Sequence, residues 1–204
     1  MESYRTVRAF GESRFVEKKS EFIGWAKPCE TFEEAQAFRD EARRAFPDAR
    51  HHLFAFINRE GNIQRFDDDG EPKGTGGIPM LEVLKKEELT GLCVVVTRYF
   101  GGILLGAGGL ARAYARGARD AVSAAGVCRF SRVYQGKIAL PYPLFPKAEA
   151  ALNAGKYRLT DKKFDQDVEI SLLLSPEEKE KLETLLADLS GGKVPLEITG
   201  ETYA

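Results

Sequence analysis

Two glycine-rich stretches hold most of the residues whose types and spacing could do chemistry. In residues 97–121, TRYFGGILLGAGGLARAYARGARDA, Gly101, Gly102, Gly106, Gly108 and Gly109 lie between an apolar strand pattern and a helical one. A strand that ends in glycines and opens a helix brings backbone N–H groups and the positive helix end together, an arrangement that holds anions. Arg112, Arg116 and Arg119 follow at spacings of four and three, on one helical face, and Arg98 stands just before the turn. Guanidinium groups in a row suit a phosphate backbone, because each grips an anion in a planar fork. The plain alternative is that the glycines let the helix approach a strand while the arginines form a solvated face.

Cofactor chemistry finds little support in the same stretch. Gly106, Gly108 and Ala111 satisfy G-x-G-x-x-G/A, but a dinucleotide site also needs an acid about 20 residues on, where this chain has Arg129 and Arg132. No lysine–serine pair makes a P-loop. No cofactor is expected.

The second stretch, residues 67–79, reads DDDGEPKGTGGIP. Asp67, Asp68, Asp69 and Glu71 could ligate Mg²⁺ or Ca²⁺, but an EF-hand count from Asp67 puts Ile78 where a glutamate is needed. Aspartates that bond the backbone of their own turn are the simpler account, and no metal is expected. His51 and His52 are the two histidines. Adjacent residues of a strand point to opposite faces, so they cannot share a metal, although one could act as a general base. Neither GxSxG nor HExxH occurs. Tyr99 and Phe100 could stack bases or sit in the core.

The elements that must position these residues follow from periodicity and punctuation. Residues 4–29 read as two strands with Gly11-Glu12-Ser13 as the turn. Thr31-Phe-Glu-Glu34 reads as a capping box that opens a helix ending at Pro47. Residues 52–58 and 63–66 form a hairpin, 67–79 a loop, 80–89 a helix, 92–99 a central β-branched strand, and the glycine turn leads into a helix that Gly126 closes. Beyond Phe130 come strand 135–140, helix 144–153, strands 156–164 and 167–174, helix 176–189 and strand 194–202. That order, βαββαβ, is the ferredoxin-like plait. The fold class is therefore α+β in two domains, residues 1–130 and 131–204.

Bulk composition narrows the function classes. The net charge of −1 gives no blanket attraction to nucleic acid, so any anion binding must be local. Cys29, Cys93 and Cys128 form no CxxC pair, which leaves no disulfide framework and no thiolate metal site. No apolar run approaches the roughly 20 residues of a membrane span, and the N-terminus lacks a signal core, so a soluble cytoplasmic protein without membrane contact is expected.

Asp69-Gly-Glu-Pro72 with Gly74-Thr75 and Gly77-x-Pro79, and then Arg98-Tyr-Phe-Gly-Gly102-x-x-Leu105-Gly106-x-Gly108-Gly109-Leu110-x-Arg112-x-Tyr114, resemble the two signature blocks of the IMPACT/YigZ family. The resemblance covers the first domain by motif and the second by length and element order. It implies a first domain like the second domain of a small-subunit ribosomal protein and domain IV of elongation factor G, and a second domain like domain V of that factor. It also implies binding to RNA or the ribosome, with a protein partner in the translation machinery and a role in regulating translation. No catalytic residue transfers with it. The candidate phosphate-binding residues are then Arg98, Gly101, Gly102, Gly106, Gly108, Gly109, Arg112, Arg116 and Arg119, with Asp69, Gly70, Glu71, Pro72, Gly74 and Thr75 as one wall. The competing reading is an enzyme that handles a phosphorylated or peptide-like small molecule in a cleft between the DGEP loop and the glycine turn.

Overall fold

Strands with apolar residues on both faces need cover on both sides, and the first half of the chain supplies it. The computed structural model describes residues 2–204. Its first elements are β1 (Ser3–Val7), β2 (Gly11–Glu17), β3 (Ser20–Pro28), α1 (Phe32–Ala45), β4 (His51–Ile57), β5 (Gln64–Asp67), α2 (Gly77–Lys86), β6 (Leu92–Tyr99) and α3 (Ala107–Ala125). Five strands form an antiparallel sheet in the order β2-β3-β6-β4-β5. Leu53, Ala55, Ile57, Leu92, Val94 and Val96 face the core under α2 and α3. Phe54, Phe56, Cys93 and Val95 face the opposite core, under α1.

Close approach of α3 to the sheet shapes this unit. Its buried residues recur every three or four positions and are mostly small: Ala113, Gly117, Ala118 and Ala121. A Cβ on Gly24 of β3 would lie 2.5 Å from the Gly117 carbonyl oxygen, so helix and strand meet backbone to backbone.

The remaining elements are β7 (Val127–Leu140), α4 (Phe145–Ala154), β8 (Arg158–Phe164), β9 (Val168–Leu174), α5 (Pro176–Ser190) and β10 (Glu197–Tyr203). The chain divides into compact units at Ser3–Phe130 and Ser131–Ala204, with β7 crossing the division. In the second unit the strand order β10-β7-β9-β8, antiparallel throughout, is that of the ferredoxin-like plait. Ile138, Leu140, Ile170, Leu172, Leu174, Leu182 and Leu186 make a core of its own. Ser175 opens α5 with a complete capping box to Glu178. No helix among the described residues is long and apolar enough to cross a membrane.

Three local expectations are corrected. Gly11-Glu12-Ser13 is no turn: Gly11 starts β2, and its missing side chain makes room for the backbone of Ala125, 2.1 Å from where a Cβ would stand. The reversal comes at Lys18-Lys19, both at positive φ. Helix α2 starts three residues early, inside the expected loop, since Pro79 in its first turn has no amide to satisfy. Strand β7 starts at Val127, ahead of the expected start at residue 135; within that extension residues 132–134 pair with β10, and ladder bonds leave no hydropathy signal. At α1, Thr31 caps the Glu34 amide as expected, while the Glu34 carboxylate takes the Glu30 amide instead of closing the box.

Candidate functional site

The loop between β5 and α2 is held by its own acids. Asp68 accepts from the amides of Gly74, Gly76 and Gly77, with bonds of 2.7–3.0 Å, and so caps α2 from a distance. Asp67 accepts from the Asp69 amide and from Arg39. Asp69 takes Arg43 on one oxygen and the His52 amide on the other. Thr75 is buried and donates to the Pro72 carbonyl. Gly70, at φ +84°, lies against the His51 ring. With every aspartate engaged, the described residues contain no cluster suited to a metal ion.

This loop delivers Glu71 into a buried polar cluster. Glu71 Oε1 accepts from the Arg98 guanidinium at 2.6 Å and from the Tyr114 hydroxyl at 2.8 Å. Strand β6, helix α3 and the loop thus meet on one carboxylate, with all three side chains buried. Burial, reinforced by the Glu71 carboxylate, pushes the Tyr114 phenol far above its ordinary range, which keeps it a donor. Arg98 also donates to Ser20 Oγ at 3.4 Å, and the Gly101 amide donates to the same oxygen at 3.2 Å. The Arg98 Nε–H has no acceptor among the described residues.

His51 pairs with Arg98 across β4 and β6 and shares its face of the sheet. Its Nδ1 lies 2.8 Å from the Asp69 carbonyl oxygen, which can only accept, so Nδ1 carries the proton and Nε2 of the neutral ring is an acceptor. That Nε2 stands 4.0 Å from Glu71 Oε1. His52 points to the other face, against α1, where its Nε2 donates to the Phe46 carbonyl at 3.1 Å.

The DGEP loop and the glycine turn are neighbours. They enclose a pocket of about 340 Å³, with His51, Glu71 and Arg98 among its polar lining and Pro72, Phe100 and Leu110 among its apolar lining. Gly106, at φ +71°, and Ala107 bring the start of α3 to the rim; no side chain caps that helix, and Gly106, Ala107 and Gly108 are exposed. Gly102 is likewise open, whereas Gly109 packs against Leu105.

The arginines divide between two places. Arg98, expected with the row, is 5% exposed and belongs to the buried cluster, because its strand register points it at the covered face. Arg112, Arg116 and Arg119 are exposed on the outer face of α3. Arg112 and Arg116 line a second pocket, about 230 Å³, with Phe15, Glu17 and Lys18. Arg116 also pairs with Asp120 and lies 4.2 Å over the Phe15 ring. Ser20 and Arg50 had no sequence signal, and Tyr114 had only its place in a motif.

Comparison with known proteins adds the lineage. Residues 18–122 match the family model for the Impact N-terminal domain, which spans both glycine-rich stretches and the whole buried cluster. This chain belongs to the IMPACT family. Residues 138–193 match a model described as a domain of unknown function, DUF1949. IMPACT family member YvyE of Bacillus subtilis is 36% identical over 204 residues, covering 100% of this chain and 94% of that one. IMPACT family member YigZ of Escherichia coli is 33% identical over 182 residues, 88% and 89% of the two chains. A crystal structure described as a hypothetical protein superposes with a TM-score of 0.63 at 32% identity, covering 98% of each chain. The IMPACT fold of this chain is thus shared along its full length.

Proposed function

We propose that this IMPACT family member is a non-enzymatic RNA-binding protein that acts on the ribosome or its regulators. The observation that carries the reading is the groove between the β2–β3 turn and α3, where Lys18, Arg112 and Arg116 face one acid, Glu17. Arg112 and Arg119 have no ion-pair partner among the described residues. A chain of net charge −1 that concentrates unpaired cations on one helix face favours a local polyanion contact over general stickiness. Gly102, Gly106 and Gly108 continue that face with open backbone, whereas Gly101 packs against Lys19 and gives its amide to Ser20; half-exposed Phe100 offers a stacking surface beside them.

Salt-titrated binding to structured RNA tests the proposal. Affinity is expected to fall linearly on a log–log plot, and the double variant Arg112→Ala/Arg116→Ala to reduce the slope by about 1–2. Wild-type affinity and slope in the double variant would remove this surface from the argument.

A further inference from the structure

The pocket between the DGEP loop and the glycine turn is chemically distinct from the arginine row. Three features of its lining ask for a partner that the protein does not supply. First, Arg98 is more than nine-tenths buried and lines the pocket, and its Nε–H has no acceptor among the described residues. A buried donor left unpaired is costly, and the cost is removed when an acceptor arrives. Second, with Nδ1 bonded to the Asp69 carbonyl, His51 Nε2 makes no hydrogen bond among the described residues and is an acceptor in the neutral ring, 4.0 Å from Glu71 Oε1. A hydroxyl or N–H donor entering there satisfies the ring nitrogen. Third, the first amides of α3 open at the rim with no side-chain cap, and exposed Arg50 stands there without an ion-pair partner among the described residues.

The complementary molecule has an anionic end for the α3 amides and Arg50, a donor for His51, and a flat apolar body. The body has a defined place, because Phe100 is 46% exposed and Leu104 80% exposed at the mouth, with Pro72 and Leu110 also lining the pocket. A volume of about 340 Å³ falls within the range of small-ligand sites, about 300–1,000 Å³, and exceeds what inorganic phosphate would fill. We infer that the pocket is a receptor for a nucleoside 5′-monophosphate, with the phosphate on the Gly106–Gly108 amides, the base against Phe100 and the ribose hydroxyls at His51 Nε2. The nucleotide can be free or the 5′ end of an RNA. Occupancy does not depend on Arg116 or Arg119, which lie further along α3 outside the pocket lining, so a variant at those two separates this inference from the arginine row.

The test is NMR titration of the full chain with AMP, GMP, CMP and UMP, each against inorganic phosphate. Binding of at least one nucleotide is expected to shift the amides of Gly106, Ala107, Gly108, Phe100 and His51. Ala107→Asp places a carboxylate in the first turn of α3, where it favours the helix and repels the ligand. It should weaken nucleotide binding about tenfold or more while the chain stays folded. Phe100→Ala should weaken nucleotide and leave inorganic phosphate unchanged. The Arg116→Ala/Arg119→Ala variant should bind mononucleotide as the wild type does. A 5′-phosphorylated oligonucleotide that binds better than its 5′-hydroxyl counterpart assigns the site to an RNA end; equal binding of the two, with free nucleotide bound, assigns it to the free ligand. No shifts at about 10 mM of any nucleotide, shifts confined to α3 residues outside the pocket, unchanged affinity in Ala107→Asp, or binding of a dipeptide in place of nucleotide would each overturn the inference.

Discussion

Two adjacent histidines divide the chemistry of the first unit. His51 lines the pocket and gives its Nδ1 proton to the Asp69 carbonyl, while His52 is buried under α1 as a donor to the Phe46 carbonyl. Burial holds the His52 ring below its ordinary value of 6.5, more strongly than the Phe46 carbonyl and Asp69 raise it. The folded state therefore refuses a proton that the unfolded chain accepts once the pH drops below about 6.5. The stability from this residue is fully present above that pH and is lost as the pH falls toward the folded-state value. Urea midpoints measured between about pH 8 and 5 should decline on the acid side. His52→Gln, which keeps a donor for Phe46 and cannot titrate, should flatten that decline; an equally steep profile would assign it to other groups. The opposite facing of the two rings was readable from strand alternation alone, whereas their partners were not, since Phe46 and Asp69 come from elsewhere in the chain.

At the scale of elements, one side chain organises the DGEP loop. Asp68 gathers three amides at the start of α2, each a bond from an uncharged donor to a carboxylate. Asp68→Ala is expected to destabilise the fold by about 2 kcal/mol, at the upper end of a helix-cap loss, and to loosen the loop that carries Glu71. Asp68→Asn should recover part of this, because its side-chain oxygen can still accept. Chemical denaturation checks the magnitude, and hydrogen exchange at Gly76 and Gly77 checks the place; unprotected wild-type amides there would contradict it. Composition marked this segment as a functional loop with self-bonding aspartates, which matches the use of Asp67 and Asp68. It did not mark where the loop ends. Pro79 read as a breaker in sequence, yet within the first turn of α2 it fits, because that turn leaves amides unbonded in any case.

The whole molecule is two compact units on one chain, the first with a core on each face of its sheet. The core built on Ile138, Ile170, Leu172 and Leu182 lies within the second unit. Residues 131–204 expressed alone should therefore unfold cooperatively in urea, with an m-value of about 1 kcal/mol/M as its size implies; a broad, featureless transition would show that the core is incomplete without the first unit. The element order βαββαβ, the two-domain division of the fold and the family were legible in sequence because they rest on periodicity, caps and long motifs, all of them local along the chain. So was the arginine row, whose spacing of four and three is a property of one helix. Only the tertiary structure removed Arg98 from that row, set Tyr114 and Ser20 beside it, and closed the pocket between the two glycine-rich stretches. Those outcomes depend on strand register and on how near α3 lies to β3, and both are set by long-range packing that no local pattern encodes.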